Sequence, residues 1–278
     1  AIEYPPPPRG GAGEGGESPF ERFPAFCETD ERVRRSWNPV TRLTMEVKCQ
    51  ALMPSELVKG RTVLDLGACL GAMSHWALSR GAERAVAVEA QRNFCVRADE
   101  LLAEAWGKDS GKYEVVCGGM REYLQTCPDD SFSIVIAAGV LHTAMDPVSL
   151  LLECARVASH AVCVESVHPE AAQLGVLPSS NGVPLAELNV KSLCNAAGRD
   201  ASFEGAAVVP SLAVVERVLG GGGFGAAHRV RVQPPQDVQR VREVAVYACA
   251  RPFCSLPRRF FVRCVRTWGE KPVVGSLE

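Results

Sequence analysis

Two carboxylates that follow apolar runs are the residues whose chemistry this sequence shows most directly. Asp65 lies at the end of one run and Glu89 ends a second, 24 residues later (89 − 65). Gly67 and Gly71 lie between them and precede a stretch with helical spacing. This order of elements predicts a βαβ unit with a carboxylate at the carboxyl end of both strands. Doubly wound sheets bind nucleoside-type ligands at that edge.

The turn between the two acids indicates which nucleoside ligand fits. A dinucleotide site uses G-x-G-x-x-G because a pyrophosphate lies against the glycine backbone. Here Cys69 stands at the middle glycine, and Asp65 is a poor neighbour for a pyrophosphate but a good partner for an ammonium group. Glu89 stands at the distance where such folds present a carboxylate to ribose hydroxyls. The residues therefore favour a ligand with a cationic amino-acid end, a ribose and a purine; an ordinary βαβ unit without a ligand is the alternative.

The pattern D-L-G-x-x-x-G at 65–71, followed by Glu89, resembles motif I of the class I S-adenosylmethionine (SAM) methyltransferases. The resemblance implies an enzyme that transfers a methyl group from SAM to an O or N nucleophile of a small-molecule acceptor. S-Adenosylhomocysteine (SAH) would be the product, and no metal would be needed. Because the sulfonium of SAM is already activated, the protein's work is then mainly positioning and charge complementarity.

The same resemblance assigns residues to each part of the cofactor. Gly67 and Gly71 would contact the methionine part through the backbone, with Asp65 near its ammonium group. Glu89 would accept two hydrogen bonds from the ribose hydroxyls. Residues after the third predicted strand would contact the adenine, although the first of them, Met120, could equally belong to the core. The complete predicted cofactor site is Asp65, Gly67, Ala68, Gly71, Glu89, Ala90, Met120, Arg121 and Ala138.

A second segment, AAGVLHTAMDP at 137–147, resembles the G-V-L-x-H-x-x-x-P segment of methyltransferases. Its histidine, His142, is the candidate general base, because imidazole titrates near neutral pH. A histidine that only structures the loop is the alternative. Glu165 ends the fifth predicted strand and is the second candidate for acid–base work or for binding a substrate amine.

Together with Pro210-Ser211, this layout is similar to the family that modifies the wobble uridine of tRNA with carboxy-SAM. That family has a basic-aromatic segment before motif I, which places Arg35 and Trp37 among the substrate-binding candidates, with His168 as a third. It also carries an arginine suited to the extra carboxylate of carboxy-SAM. Glu204 stands in the matching place here and would repel that carboxylate, so ordinary SAM is the predicted cofactor.

Composition bears on partners and compartment. The net charge is −2 and the pI about 6.3, which does not indicate a nucleic-acid-binding chain. RNA is the alternative partner, because arginines and aromatics are interleaved near the carboxyl end. No apolar run reaches the roughly 18 residues of a membrane span. The 12 cysteines include no C-x-x-C pair and are typical of a reducing, cytoplasmic compartment. The acceptor and the oligomeric state stay open, as does a cofactor-binding scaffold without catalysis.

Alternating strand and helix patterns predict a doubly wound, seven-stranded, mostly parallel α/β sheet with N-terminal helices and a lid insertion. The last two strands are expected near 228–232 and 243–250, and the insertion is expected to be irregular with short helices. The predicted organisation is a disordered leader (1–25), N-terminal helices (26–57), a SAM-binding methyltransferase domain (58–250, with the insertion at 167–210) and a basic-aromatic C-terminal extension (251–278).

Overall fold

A computed structural model of the chain describes residues 18–27, 39–141, 144, 146–167, 179–180, 186–189, 206–210, 212–224, 226–230 and 259–265. The candidate residues Arg35, Trp37, His142 and His168 lie outside these ranges, as does the strand predicted near 243–250.

The strands are β1 (Thr62–Leu66), β2 (Arg84–Glu89), β3 (Tyr113–Cys117), β4 (Phe132–Ala138), β5 (Ala158–Val167), β6 (Ser179–Ser180), β7 (Ala186–Asn189), β8 (Ala206–Val209), β9 (Ala226–Val230) and β10 (Arg259–Val265). The helices are α1 (Pro19–Arg22), α2 (Pro39–Leu52), α3 (Ser55–Val58), α4 (Ala72–Ser79), α5 (Arg92–Trp106), α6 (Met120–Thr126), α7 (Pro147–Val157) and α8 (Leu212–Gly221), with a 3₁₀ turn at Pro24–Cys27. Among the described residues, no helix combines the length and the apolar character of a membrane-spanning segment.

Seven strands form one sheet in the order β3-β2-β1-β4-β5-β10-β9. The first five run parallel, and β10 lies antiparallel between β5 and β9. This confirms the predicted seven-stranded, mostly parallel sheet. The strand beside β5 comes from Arg259–Val265, which lies in the stretch predicted as a C-terminal extension.

Both faces of the sheet are covered, which is why its central strands are almost continuously apolar. On one face Val63, Ile136 and Cys163 pack with residues from α2, α4 and α5. On the other face Leu64 and Val135 pack with residues from α7 and α8. Buried strands of this kind can hold charged residues only where a partner or a ligand meets them.

Three short strands lie among the described residues of the insertion, antiparallel and in the order β6-β7-β8. The prediction for 167–210 included no sheet, and its short helices stay a prediction. These strands are two to four residues long. Runs this short carry too little periodicity to be distinguished from irregular loop in a sequence.

The predicted disordered leader is wrong from Ser18 onward. Ser18 begins α1 by accepting a hydrogen bond from Phe20 N at 3.3 Å, and Pro19 occupies the first turn. Phe20 and Phe26 are buried, and the ring of Phe26 stacks on His75 of α4 at 4.2 Å between centroids. The segment is ordered because its aromatic rings pack against α4. The proline- and glycine-rich sequence that surrounds it led to the prediction of disorder.

His75 joins this N-terminal segment to two helices. Its Nδ1 accepts a hydrogen bond from Trp106 Nε1 at 3.0 Å, and its Nε2 lies 3.3 Å from the carbonyl oxygen of Pro19. A ring that accepts at Nδ1 carries its proton on Nε2, which can donate to that carbonyl. Burial lowers the pKa of His75 to about 4, because the charged form is disfavoured away from water.

We expect His75 to make the fold sensitive to mild acid. Because the folded pKa lies below the unfolded value of 6.5, stability is complete above pH 6.5 and is lost as pH falls toward 4. Between pH 7.5 and pH 5 this loss amounts to about 2 kcal/mol. Urea unfolding of wild type and His75→Gln at both pH values checks it. Equal losses in the two proteins would contradict the assignment, since the other titrating groups are shared.

Candidate cofactor site

The carboxyl ends of β1, β2 and β4 meet at one edge of the sheet. Strand β1 pairs with β2 on one side and with β4 on the other, and all three run parallel. The connections from β1 and β4 therefore leave toward opposite sides of the sheet, which opens a crevice at the switch point. The candidate residues on β1, β2 and β4 lie at this edge.

The turn after β1 has an uncommon backbone. Gly67, Cys69 and Gly71 have φ values of 67°, 54° and 78°, in the left-handed region. Glycine adopts this region freely, whereas a residue with a Cβ does so at a cost. The amides of Gly67 and Ala68 both donate to the carbonyl of Val88, at 2.8 and 3.0 Å. The turn is thus bound to the carboxyl end of β2.

Glu89 holds the strained part of this turn. Its side chain is buried, and Oε2 accepts a hydrogen bond from Cys69 N while Oε1 accepts one from Gln91 N, both at 2.9 Å. A carboxylate oxygen has two acceptor positions, so each oxygen can accept a further bond. The carboxylate is held rigidly and can still accept two hydrogen bonds from a diol, as the ribose hypothesis requires.

Asp65 caps the helix that follows the turn. Its Oδ2 accepts hydrogen bonds from the backbone N and the Oγ of Ser74, at 3.1 and 2.8 Å. Ser74 is the third residue of α4, so the acid satisfies the helix amino end. Burial raises the pKa of Asp65 to about 6, although the Ser74 bonds oppose the rise. This contact with Ser74 is a role that sequence reasoning missed.

The two residues predicted to contact adenine follow β3. Gly118 N donates to the carbonyl of Glu89 at 2.9 Å, which brings the start of α6 beside the second acid. Met120 is half-buried and packs on the apolar cluster. Arg121 is exposed and its Nη2 lies 3.7 Å from Asp146 Oδ2 at the amino end of α7. Its hydrogen bond to adenine stays a prediction.

The small residues of the predicted site surround this edge. Ala68 is buried in the turn, Ala90 is exposed directly after Glu89, and Ala138 is half-buried at the end of β4.

The helix predicted at Asp146-Pro147 is confirmed, with Asp146 accepting a hydrogen bond from Ser149 N at 2.9 Å.

Glu165 lies on β5 in register with Ala138 and is fully buried. Its Oε2 is 3.0 Å from the Nζ of Lys48, a residue of α2 that sequence analysis did not single out. The signal in the sequence was a lysine within a stretch predicted to be a helix before the first strand. The acid–base role of Glu165 stays a prediction, as do the roles of His142, Arg35, Trp37 and His168. Within the described ranges, no three acidic, histidine or cysteine side chains are grouped as metal ligands.

We predict that Gly67 cannot carry a side chain. A Cβ there would lie 2.5 Å from Val140 Cγ1, whereas a Cβ on Gly60, which has a similar φ of 69°, would meet nothing within 4 Å. Gly67→Ala should therefore lose about 1–3 kcal/mol more stability than Gly60→Ala. Denaturant unfolding of the two variants measures this difference. The close approach would be refuted by equal losses, because both variants share the backbone strain.

Comparison with known proteins agrees with this geometry. Residues 64–161 match the sequence family described as "Methyltransferase domain". No curated protein matches the chain.

Solved structures share the fold at low sequence identity. A SAM-dependent methyltransferase from Mesorhizobium loti is 19% identical with a TM-score of 0.53, covering 80% of this chain and 98% of its own. A putative SAM-dependent methyltransferase from Listeria monocytogenes is 11% identical with a TM-score of 0.58, covering 83% and 100%. Magnesium protoporphyrin IX methyltransferase from Synechocystis PCC 6803, solved with SAH, is 14% identical with a TM-score of 0.55, covering 89% and 94%. Residues 64–161 therefore resemble a methyltransferase domain in sequence, and the chain shares the fold of SAM-dependent methyltransferases.

Proposed function

We propose that this protein transfers a methyl group from SAM to an O or N nucleophile of a small-molecule acceptor and releases SAH. The observation that carries the proposal is the buried Glu89 carboxylate at the carboxyl end of β2. Cys69 N and Gln91 N fix both of its oxygens in place. A carboxylate in this position can bind a ribose diol through two charge-assisted hydrogen bonds.

The residues around Glu89 fit the rest of SAM. The left-handed turn at 67–71 lets backbone lie close to a ligand, and a Cβ at Gly67 would already collide with Val140. Asp65 and Glu165 provide negative charge near the expected methionine end. When bound, SAM supplies a methyl group on a sulfonium, which is activated for direct transfer. The Synechocystis structure with SAH supports this cofactor through its shared fold.

The chain's own contribution to the reaction would be placement and charge. Glu89 would orient the ribose, and the turn with Ala138 would orient the methionine part, so that the acceptor meets the methyl carbon in line. In a transfer to a hydroxyl, the acceptor loses a proton as the new bond forms. We assign that proton to His142, with Glu165 as the second choice.

The structural position of the basic-aromatic stretch at 251–278 favours a small acceptor over RNA. Part of it forms β10, which is paired on both sides by β5 and β9. Arg263 in this strand is 7% exposed. A basic residue buried in a sheet cannot contact phosphates, so this strand offers fewer contacts to RNA than the sequence indicated. The Synechocystis neighbour is named for a small acceptor, magnesium protoporphyrin IX.

Glu89→Ala should weaken SAM or SAH binding by on the order of 1.5–3 kcal/mol, the contribution of hydrogen bonds to a charged group. Isothermal titration calorimetry measures the change, and Glu83→Ala, at an exposed position two residues beyond Gly81, is the matched control. Thermal unfolding of each variant confirms that the turn remains folded. Tight NAD binding without SAM binding in the wild type would exclude the proposed cofactor.

The acceptor class is tested by SAM turnover. We expect SAH to form with small hydroxyl or amine compounds, and we expect tRNA binding to be weak. A submicromolar tRNA complex whose affinity falls steeply with salt would instead favour an RNA-modifying enzyme of the same fold. Tight SAM binding without turnover on any acceptor would favour a cofactor-binding scaffold.

If His142 removes the acceptor's proton, His142→Ala should lower kcat by roughly 10²–10⁴-fold and leave SAM affinity nearly unchanged. The wild-type rate should also fall at acid pH, because an imidazolium cannot accept a proton. Steady-state rates across pH, with calorimetry for SAM, test both points. A fully active variant would reduce this histidine to a loop residue and make Glu165 the next to substitute.

A further inference from the structure

Helix α2 brings a lysine to the edge of the sheet where two acids are buried. Lys48 Nζ lies 3.0 Å from Glu165 Oε2, with side chains 16% and 0% exposed. Burial raises the pKa of Asp65, and the charge of Lys48 opposes that rise, so the lysine lies within electrostatic reach of both acids. The cation is thus paired with the acid on β5 and places a positive charge near the acid on β1.

The position of Lys48 is fixed by the carboxyl end of its helix. Cys163 Sγ donates to the carbonyl of Leu52 at 3.2 Å, and Trp76 Nε1 donates to the carbonyl of Met53 at 3.1 Å. Lys48 precedes Leu52 by four residues and therefore lies on the same side of the helix, one turn earlier. These contacts distinguish the pair from an ion pair between two mobile surface side chains.

The pair lies beside the corner that follows β4. Gly139 N donates to the carbonyl of Glu165 at 2.9 Å. A Cβ on Gly139 would lie 3.5 Å from Glu165 Oε2. Val140, the next residue, is the one that limits Gly67 in the first turn. The acid and its lysine therefore lie next to the place where the proposed function puts the methionine end of SAM.

The charges at this corner match those of that ligand. Asp65, Glu165 and Lys48 together carry one net negative charge when all are ionised, while SAM carries two positive charges and one carboxylate. A buried ion pair is costly to desolvate unless further partners satisfy its charges. The ammonium of Lys48 has three donors, and the contact with Glu165 Oε2 takes only one. An amino acid group, with an ammonium and a carboxylate on one carbon, can engage both signs.

We propose that Lys48 binds the α-carboxylate of the methionine part of SAM, while Asp65 and Glu165 face its ammonium group. Lys48 then determines specificity, because it distinguishes SAM from a sulfonium ligand without that carboxylate. This assignment rests on the proposed function and adds to it a residue from outside the methyltransferase motifs.

Calorimetric titration with SAM and with decarboxylated SAM tests the assignment, since the second ligand keeps the sulfonium and the ammonium. Wild type should bind SAM roughly 10- to 100-fold more tightly. Lys48→Met, which keeps an unbranched side chain and removes the charge, should reduce this ratio to about one by weakening SAM alone. Lys59→Met, at an exposed position after α3, should keep the wild-type ratio.

The possible results separate this proposal from the one on which it rests. Equal wild-type affinities for the two ligands, or a Lys48→Met variant that loses both equally, would overturn the role of Lys48 and leave SAM binding intact. Failure of wild type to bind either ligand would overturn the proposed function itself. If Lys48→Met does not fold, Lys48→Arg retains the charge, and a ratio near one in that variant or in wild type overturns the assignment.

Discussion

Two buried carboxylates determine the shape of the turn on which the rest of this site depends. Glu89 accepts from Cys69 N, whose residue has a left-handed φ of 54°, and Asp65 accepts from Ser74 at the start of α4. Without these acceptors the turn would leave backbone amides unpaired at a buried edge, at a cost of about 1–3 kcal/mol each. The two acids therefore stabilise the turn without a ligand. The oxygens of Glu89 still have lone pairs that can accept hydrogen bonds from one.

Asp65 and Glu165 are both buried at this edge of the sheet, and helix α2 places a lysine near them. The pKa of Asp65 is raised to about 6 by burial, and Glu165 is fully buried on a strand two places away. Lys48 supplies one positive charge for the two acids. A net negative corner is then well matched to a cationic ligand and less well to a neutral one. In the proposed reaction the sulfonium loses its charge on methyl transfer, so this mismatch would help the product to leave.

The N-terminal segment and α2, which both precede β1, pack against α4 and β5. The N-terminal segment stacks Phe26 on His75, and α2 is fixed by contacts with β5 and with the residue Trp76 that follows His75. Helix α4 also starts directly after the turn at 67–71. Its packing therefore connects the aromatic rings of the N-terminal segment to the candidate site. Changes at His75 or Phe26 should therefore be examined for effects on ligand binding as well as on stability.

Local patterns in the sequence were sufficient to predict part of this fold and part of its site. Apolar runs, glycine positions and strand-end acids predicted the first five strands and placed Asp65, Gly67 and Glu89 at one edge, because parallel strands align their carboxyl ends. The distant residues that meet them could be identified only from the folded chain. Lys48 and Glu165 are 117 residues apart (165 − 48), and β10 comes from beyond the predicted end of the domain. Such pairings depend on how helices and strands pack against each other. A periodic pattern of apolar residues describes single elements and does not specify contacts between distant ones.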